Sequence, residues 1–286
     1  MKLLLWLIYI IPSTGLSQSI EFRHYKKGEH FQYRLTTESF RNNQPDSKTI
    51  SVSHHSIVVD SGHLVEEIKW ISKKVVGKET AQLDSIAQKV PSYKISLMPG
   101  GQLKLPALSI PEMTGEITDL NTFYVAVSPA LHVHKLDPRH LSFLDSVLKG
   151  NFADGKQIIN GEDCIQVKQR LLIKDKKTTV VETSFLPPYY TGIIPYIDTI
   201  GKQSFEMPNN FQMVRKGSGD KVNLLWGVER FIITTTLDNH TGMILQAEMI
   251  NLLNLRMRYN SSPDFSTYDA EIPVVIKRVL HLELVK

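Results

Sequence analysis

Apolar and polar residues alternate with a period of two along most of this chain, and this alternation limits the fold more than any other feature. Successive side chains of a β-strand point to opposite faces, so the alternation predicts strands with one buried face. Phe31, Tyr33 and Leu35 share one face of such a strand. Further strands are predicted at 50–59, 64–71, 162–173, 178–186, 221–237, 243–259 and 273–285. The fold class is therefore predicted to be mainly β, with long antiparallel hairpins in a curved sheet, a half-barrel or a sandwich.

Helical patterns are few and lie near the middle of the chain. The clearest runs from Asp137 to Gly150, with Asp137 suited to the N-cap, Pro138 to the first turn and Gly150 to the C-terminal stop. Shorter helices are predicted over 80–89 and 118–127. These patterns predict a small central helical insertion in the β-rich chain.

The N-terminus has the pattern of a secretory signal peptide. Lys2 gives a positive start, residues 3–11 are apolar, and Gly15 and Ser17 supply the small residues of a cleavage site. The apolar run is about half of what a bilayer crossing needs. We therefore expect residues 1–17 to be removed, with no transmembrane segment, leaving an exported protein that is periplasmic or secreted.

Residues 18–286 are expected to form a single β-rich extracytoplasmic domain. The alternative is two β halves, 18–110 and 151–286, joined by a helical segment over 111–150. Cys164 is the only cysteine, so the chain cannot form an internal disulfide. The formal net charge of +4 is small for 286 residues and gives no reason to expect nucleic acid as a partner. The oligomeric state is left open.

Asp60-Ser61-Gly62 resembles the catalytic turn of aspartic proteases, but a hairpin explains it better. Alternating residues flank it on both sides, and Gly62 suits a left-handed position beside a bulge. A protease would need a second such turn, and Asp238 to Gly242 has two extra residues between Asp and Thr-Gly. Both stretches, like the turn at Asp175, are predicted to be hairpin tips.

Other catalytic and metal patterns are weak. His132 and His134 would share a face of a strand, but a zinc site also needs a third ligand at suitable spacing. Cys164 follows two acidic residues, which disfavour a reactive thiolate. Glu66 and Glu67 are adjacent and would lie on opposite faces of a strand. We predict no catalytic residue, no metal ligand and no cofactor.

One apolar loop is predicted to contact a ligand. Residues 185–201 contain three prolines and two glycines, so they form neither a helix nor a central strand. One interpretation is a loop packed onto the sheet as part of the core; the other is a lid over an apolar cavity. The helical stretch over 118–127 could close the other side. The candidate ligand-binding residues are Tyr189, Tyr190, Ile193, Ile194, Tyr196, Phe123 and Tyr124.

Three stretches of the chain resemble known proteins: the hairpins "IVVDSGHLVEEIKW" and "TTTLDNHTGMILQAEM" and the start of a strand at "INGEDCIQV". In these stretches the chain resembles secreted β-rich domains of unknown function from Bacteroidetes-type bacteria. The succession of hairpins is also similar to that of lipoprotein carriers of the LolA/LppX kind. That resemblance implies a curved antiparallel sheet that wraps helices around an apolar ligand cavity. This chain departs from the carriers in being longer and in lacking a recognisable first long helix.

Three functions remain open from the sequence. The first is an exported, non-enzymatic protein that binds a hydrophobic small molecule or lipid beneath the 185–201 loop. The second is a hydrolase, either aspartic-type at Asp60 or metal-dependent at His132 and His134. The third is a structural or interaction domain that docks a partner on its strand edges.

Overall fold

The computed structural model of the protein describes residues 23–77, 80–98, 110–128, 144–148, 151–153, 158–160, 165–185 and 211–285. Most of the described residues belong to β-strands. The strands are β1 (His30–Arg41), β2 (Gln44–Asp60), β3 (His63–Val76), β4 (Ala81–Gln82), β5 (Tyr93–Ser96), β6 (Leu144–Leu148), β7 (Asn151–Ala153), β8 (Ile158–Asn160), β9 (Ile165–Lys174), β10 (Thr178–Phe185), β11 (Phe211–Lys216), β12 (Val222–Asp238), β13 (Ile244–Ser261) and β14 (Ala270–Leu284).

Twelve of these strands form one curved antiparallel sheet. Its order is β4-β3-β2-β1-β14-β13-β12-β10-β9-β6, with β5 paired to β3 and β11 paired to β12. The order runs from β4 at one edge to β6 at the other, so the sheet is open. The strands β7 and β8 pair separately. The predicted fold class, mainly β with long antiparallel hairpins in a curved sheet, is confirmed.

Side-chain alternation produces the two faces of the sheet as predicted. Phe31, Tyr33 and Leu35 are buried on one face of β1. Ile57 on β2 and Ile68 on β3 are buried on the same side. We call this the inner face, because the helices pack against it.

Short turns with left-handed residues join the long strands. Asp60 lies opposite His63, so the connection between β2 and β3 is the two-residue turn Ser61-Gly62. Both residues have positive φ, 50° and 82°, which is the type I′ geometry that matches strand twist. The hairpin prediction is confirmed, but the expected bulge beside Gly62 is not there. The irregularity in this pair lies between Val52 and Ser53 instead.

Two other predicted hairpin tips are also turns. Between β12 and β13, Asp238 accepts hydrogen bonds from the backbone N–H groups of His240 and Thr241. Between β9 and β10, Asp175 accepts them from Lys177 and Thr178. Each carboxylate therefore caps its own turn.

The longer described helix is α2 (Thr114–Ala126), which follows a 3-10 turn at Pro111–Met113 and confirms the helix predicted over 118–127. The other, α1 (Asp84–Lys89), is shorter than predicted because Ala81 and Gln82 pair with β3 as β4. The helix predicted from Asp137 to Gly150 is wrong over Leu144–Leu148. That stretch is β6, whose backbone pairs with Ile165 to Gln169 of β9. Pairing with a distant strand outweighs the local helix signals.

The inner face carries two apolar clusters. The first apolar cluster combines residues of the sheet with those of both helices and includes Tyr33, Trp70, Leu120, Phe123, Ile233 and Leu280. Fully burying such a side chain contributes roughly 1.5–3 kcal/mol. The second apolar cluster consists of the strand residues Leu225, Leu253, Leu255, Met257 and Val274, with Phe211, Tyr259 and Ile276 packed against it.

Gly227 allows β12 and β13 to approach closely beside the second apolar cluster. Its φ is +150°, and a Cβ added there would lie 2.2 Å from the carbonyl oxygen of Asn254. Only glycine fits that contact without a backbone shift. The local path of the sheet therefore depends on this residue.

Candidate functional site

A network of charged and polar side chains is buried on the inner face, and we call it the Glu66 network. Its members are Arg23, Ser53, His55, Glu66 and Tyr124. Ser53 and His55 alternate along β2, Glu66 lies on β3, Tyr124 lies on α2, and Arg23 precedes β1. The network therefore links four separate parts of the chain.

Glu66 is the acceptor at the centre of this network. His55 Nδ1 donates to Oε1 at 2.5 Å, and Tyr124 Oη donates to the same oxygen at 2.7 Å. Arg23 Nη1 donates to the other oxygen, Oε2, in a buried ion pair. With its proton on Nδ1, His55 presents Nε2 as an acceptor to the Ser53 hydroxyl, 2.8 Å away.

The electrostatics of the network favour an ionised Glu66. Burial alone would raise the pKa of this carboxyl. The charge of Arg23 and the hydrogen bonds from His55 and Tyr124 outweigh burial and lower the pKa from 4.5 to about 2. Burial also raises the pKa of Tyr124 well above 10, so its hydroxyl stays a donor.

Ser53, His55 and Glu66 have the hydrogen-bond order of a nucleophile, a base and a carboxylate that orients the base. All three are buried, with Ser53 only 2% exposed. Phe31 stacks on the His55 ring at a centroid distance of 5.1 Å, and Tyr33 meets it edge-on at 5.1 Å. A substrate cannot reach the Ser53 hydroxyl in this enclosed position, so the three side chains form a buried hydrogen-bond network that stabilises the fold.

A second polar group lies on the inner face between the two apolar clusters. We call it the polar border and define it by Asp119, Glu229, Asn251 and Arg278. Asn251 on β13 lies opposite Arg278 on β14, and Glu229 lies two residues from Phe231, the partner of Asn251 on β12. Asp119 reaches the border from α2.

Two pairs of side chains make up the polar border. The Arg278 guanidinium donates to both carboxylate oxygens of Asp119, with Nη1 3.1 Å from Oδ1. Asn251 Nδ2 donates to Glu229 Oε1 at 2.7 Å. The first pair fixes α2 to the sheet, and the second places an acidic group beside the second apolar cluster.

The predicted ligand-binding residues fall into two groups. Phe123 and Tyr124 are on α2 and are buried in the first apolar cluster, where the Tyr124 hydroxyl contacts Glu66. The remaining five lie outside the described residues: Tyr189, Tyr190, Ile193, Ile194 and Tyr196.

The residues considered for hydrolysis are not brought together. Asp60 is half-exposed at the hairpin tip, where its carboxylate lies 3.2 Å from Lys94 Nζ. His132, His134 and Cys164 lie outside the described residues. Within the described ranges, no three His, Cys, Asp or Glu side chains are grouped so that they could hold a metal ion.

The sequence contained a partial signal for the Glu66 network. Alternation places Ser53 and His55 on the face of Ile57, and Glu66 on the face of Ile68. Polar side chains on an otherwise apolar face indicate buried hydrogen bonding. Their partners carry no such signal, since Arg23 is 43 residues from Glu66 and Tyr124 is 58 residues away.

Comparisons with known proteins do not assign the chain to a family. No protein-family model matches it, and no curated protein matches it. Among solved structures, it is similar to the outer membrane protein OprG from Pseudomonas aeruginosa. The identity is 8% and the TM-score is 0.15, over 92% of this chain and 96% of that chain. A TM-score this low carries no argument about fold or function.

No helix among the described residues combines the length and the apolar character that crossing a bilayer requires.

Proposed function

We propose that this protein is an exported, non-enzymatic binding protein whose ligand is a hydrophobic or lipid-like molecule. The ligand lies against the second apolar cluster on the inner face of the sheet. The N-terminal signal pattern supports export, and the resemblance of the hairpins to those of lipoprotein carriers supports carriage.

The proposal rests on a difference between the two apolar clusters: helices contribute residues to the first and, among the described residues, not to the second. The buried apolar residues of α1 and α2 all belong to the first apolar cluster. Among the described residues, the second apolar cluster contains strand residues and no helix residue, and Leu253, Leu255 and Met257 lie on one face of β13. An apolar sheet face beside a few polar groups has the character of a small-molecule site.

The first test is native mass spectrometry of the mature protein, purified without detergent and then extracted under denaturing conditions. A lipid-sized mass that is released on unfolding is the expected result. A bare polypeptide mass, together with no fluorescence gain from the apolar probe 1-N-phenylnaphthylamine, contradicts the proposal.

The second test places the probe on the proposed surface. Leu255→Asn puts an amide among apolar groups and is expected to weaken probe binding about tenfold. Ile250→Asn is the matched control, since Ile250 is on the same strand but exposed on the outer face. Far-ultraviolet circular dichroism checks that both variants fold. Equal probe binding by the two variants places the probe elsewhere and contradicts the site.

A further inference from the structure

The outer face of the sheet, opposite the helices, carries a row of apolar side chains at its centre. Ile232 on β12 lies opposite Ile250 on β13, and Ile250 lies opposite Val279 on β14. We call these three residues the outer apolar row. Ile232 is 44% exposed and Ile250 is 45% exposed, while Val279 is partly exposed. Facing side chains on neighbouring strands are about 5 Å apart, so the row forms a continuous apolar strip in contact with solvent.

The neighbouring row on one side of this strip is partly apolar and positively charged. Arg230, Leu252 and Lys277 lie opposite one another on β12, β13 and β14. Phe40 on β1 lies opposite Lys277, whose ammonium is 5.9 Å from the centroid of the Phe40 ring. Leu252 and Phe40 therefore widen the apolar surface. We call Arg230 and Lys277 the basic row.

The neighbouring row on the other side of the strip is negatively charged. Glu182 on β10 and Glu248 on β13 both lie opposite Thr234 of β12, and we call these two glutamates the acidic row. Glu182 pairs with Arg170 at 2.8 Å, and Glu248 lies 3.4 Å from His281. The Glu248 side chain is still 51% exposed, so its carboxylate can accept a further basic partner.

These rows are complementary to a second copy of themselves. A two-fold axis along the outer apolar row places each residue of that row over its own counterpart. The same axis places the acidic row of each copy over the basic row of the other. Glu248 of one copy then faces Leu252 of the other, and Arg230 and Lys277 lie one strand away on either side. Opposite charges therefore meet on both sides of the apolar strip.

The geometry of such a pair is that of an aligned β-sandwich. The strands of the two sheets run within about 30° of each other, and the sheets are about 10 Å apart. The outer apolar row spans three strands, which is small beside the roughly 20–30 residues per partner of a stable interface. The affinity expected from this contact is therefore in the micromolar range.

We propose that the outer apolar row is the centre of a symmetric dimer interface, whose partner is a second copy of this chain. The charged rows favour a second copy over a lipid surface. They match each other in sign across the axis, whereas an anionic membrane would repel the acidic row beside the strip. This inference does not rest on the proposed function, because the second apolar cluster lies on the opposite face of the sheet.

Sedimentation equilibrium of the mature protein at pH 8 tests for the dimer. Concentrations from about 1 μM to about 500 μM bracket the expected affinity, and a reversible monomer–dimer equilibrium is the expected result. Ile250→Asp places two like charges next to the axis and is expected to weaken the dimer at least about tenfold. Val59→Asp is the matched control, since Val59 is 48% exposed but lies near the tip of the β2–β3 hairpin. It is expected to leave the dimer unchanged.

Charge reversal tests the two-fold arrangement itself. Glu248→Lys alone places a lysine beside Lys277 of the other copy, and Lys277→Glu alone places a glutamate beside Glu248. Each variant is expected to associate with itself about fivefold more weakly, because two contacts change in each dimer. An equimolar mixture of the two variants is expected to recover the natural affinity, since both contacts of the mixed dimer pair a lysine with a glutamate.

Far-ultraviolet circular dichroism checks that every variant folds. The inference is overturned by a monomer at all concentrations, by equal effects of Ile250→Asp and Val59→Asp, or by a mixture that associates no more tightly than either charge variant alone. A monomer that floats with vesicles of phosphatidylcholine and phosphatidylglycerol, and loses flotation on Ile250→Asp, also overturns it. That result would make the strip a membrane-binding surface.

Discussion

Glu66→Gln is the substitution that tests the buried network most directly. Glutamine keeps the shape of the side chain but removes its charge. The Arg23 guanidinium then stays buried opposite a neutral amide, and His55 Nδ1 and Tyr124 Oη lose a charged acceptor. The expected result is a large loss of stability with little change of fold.

The size of the loss follows from the pKa of Glu66. A carboxyl whose pKa falls from 4.5 to about 2 on folding stabilises the folded state by about 3 kcal/mol at neutral pH. Removing one partner of a buried ion pair typically costs roughly 3–5 kcal/mol. The two estimates agree, and either is a substantial part of the roughly 5–15 kcal/mol that holds a domain folded.

The pH dependence has a definite sign. Because folding lowers the pKa of Glu66, its contribution is fully present above pH 4.5 and disappears as pH falls toward about 2. Protonation of Glu66 in the natural protein then removes the negative charge opposite Arg23, as the substitution does. The stabilities of the natural protein and of Glu66→Gln should therefore converge across this interval.

Urea denaturation at pH 7 and at several values down to pH 2.5 measures both effects. Glu67→Gln is the control, since Glu67 is the neighbouring residue on the opposite face of β3 and is only half-buried. We expect it to change stability by less than about 0.5 kcal/mol. A Glu66→Gln loss below about 1 kcal/mol at pH 7, or a loss that stays constant with pH, would refute the assigned role of the network.

Two further substitutions test local geometry by the midpoint of denaturant unfolding. Gly227→Ala should lower the free energy of unfolding by about 2 kcal/mol or more, because the added Cβ would clash with Asn254 and the φ of +150° is strained for alanine. Gly115→Ala is the control. Gly115 lies in α2 with open space around it, so this substitution should leave stability unchanged or raise it slightly. Equal effects of the two glycine substitutions would mean that Gly227 does not make a close contact with Asn254.

Asp60→Ala should change stability by less than about 1 kcal/mol, since the ion pair of Asp60 with Lys94 is exposed. A larger loss contradicts the hairpin-tip assignment of Asp60.

Features that depend on neighbouring residues could be predicted from the sequence. The Ser61-Gly62 turn follows from local chemistry, because glycine and small polar residues adopt positive φ between two alternating runs. Alternation also predicted that Phe31, Tyr33 and Leu35 share one face of a strand, and these residues are buried on the inner face of β1. These elements need no information from distant parts of the chain.

Features that depend on distant partners could not be predicted. Asp137, Pro138 and Gly150 are good helix signals, yet Leu144–Leu148 is a strand because β9 is available to pair with it. The Glu66 network and the polar border could not be predicted for the same reason, because their members are far apart in the sequence. Arg278, for example, is 159 residues from Asp119. A one-dimensional pattern gives the face of a residue and not the partner across from it.

The pairing of β1 with β14 sets the order in which this protein can assemble. Arg34 and Glu283, which face each other on these strands, are 249 residues apart. Contacts between such distant residues form slowly, because a long loop must close first. The growing chain can form the β1–β2–β3 meander early, but one edge of β1 stays unpaired until β14 has left the ribosome. A stop codon before Ala270 would therefore remove the strand that joins the two halves of the sheet, rather than trim its edge.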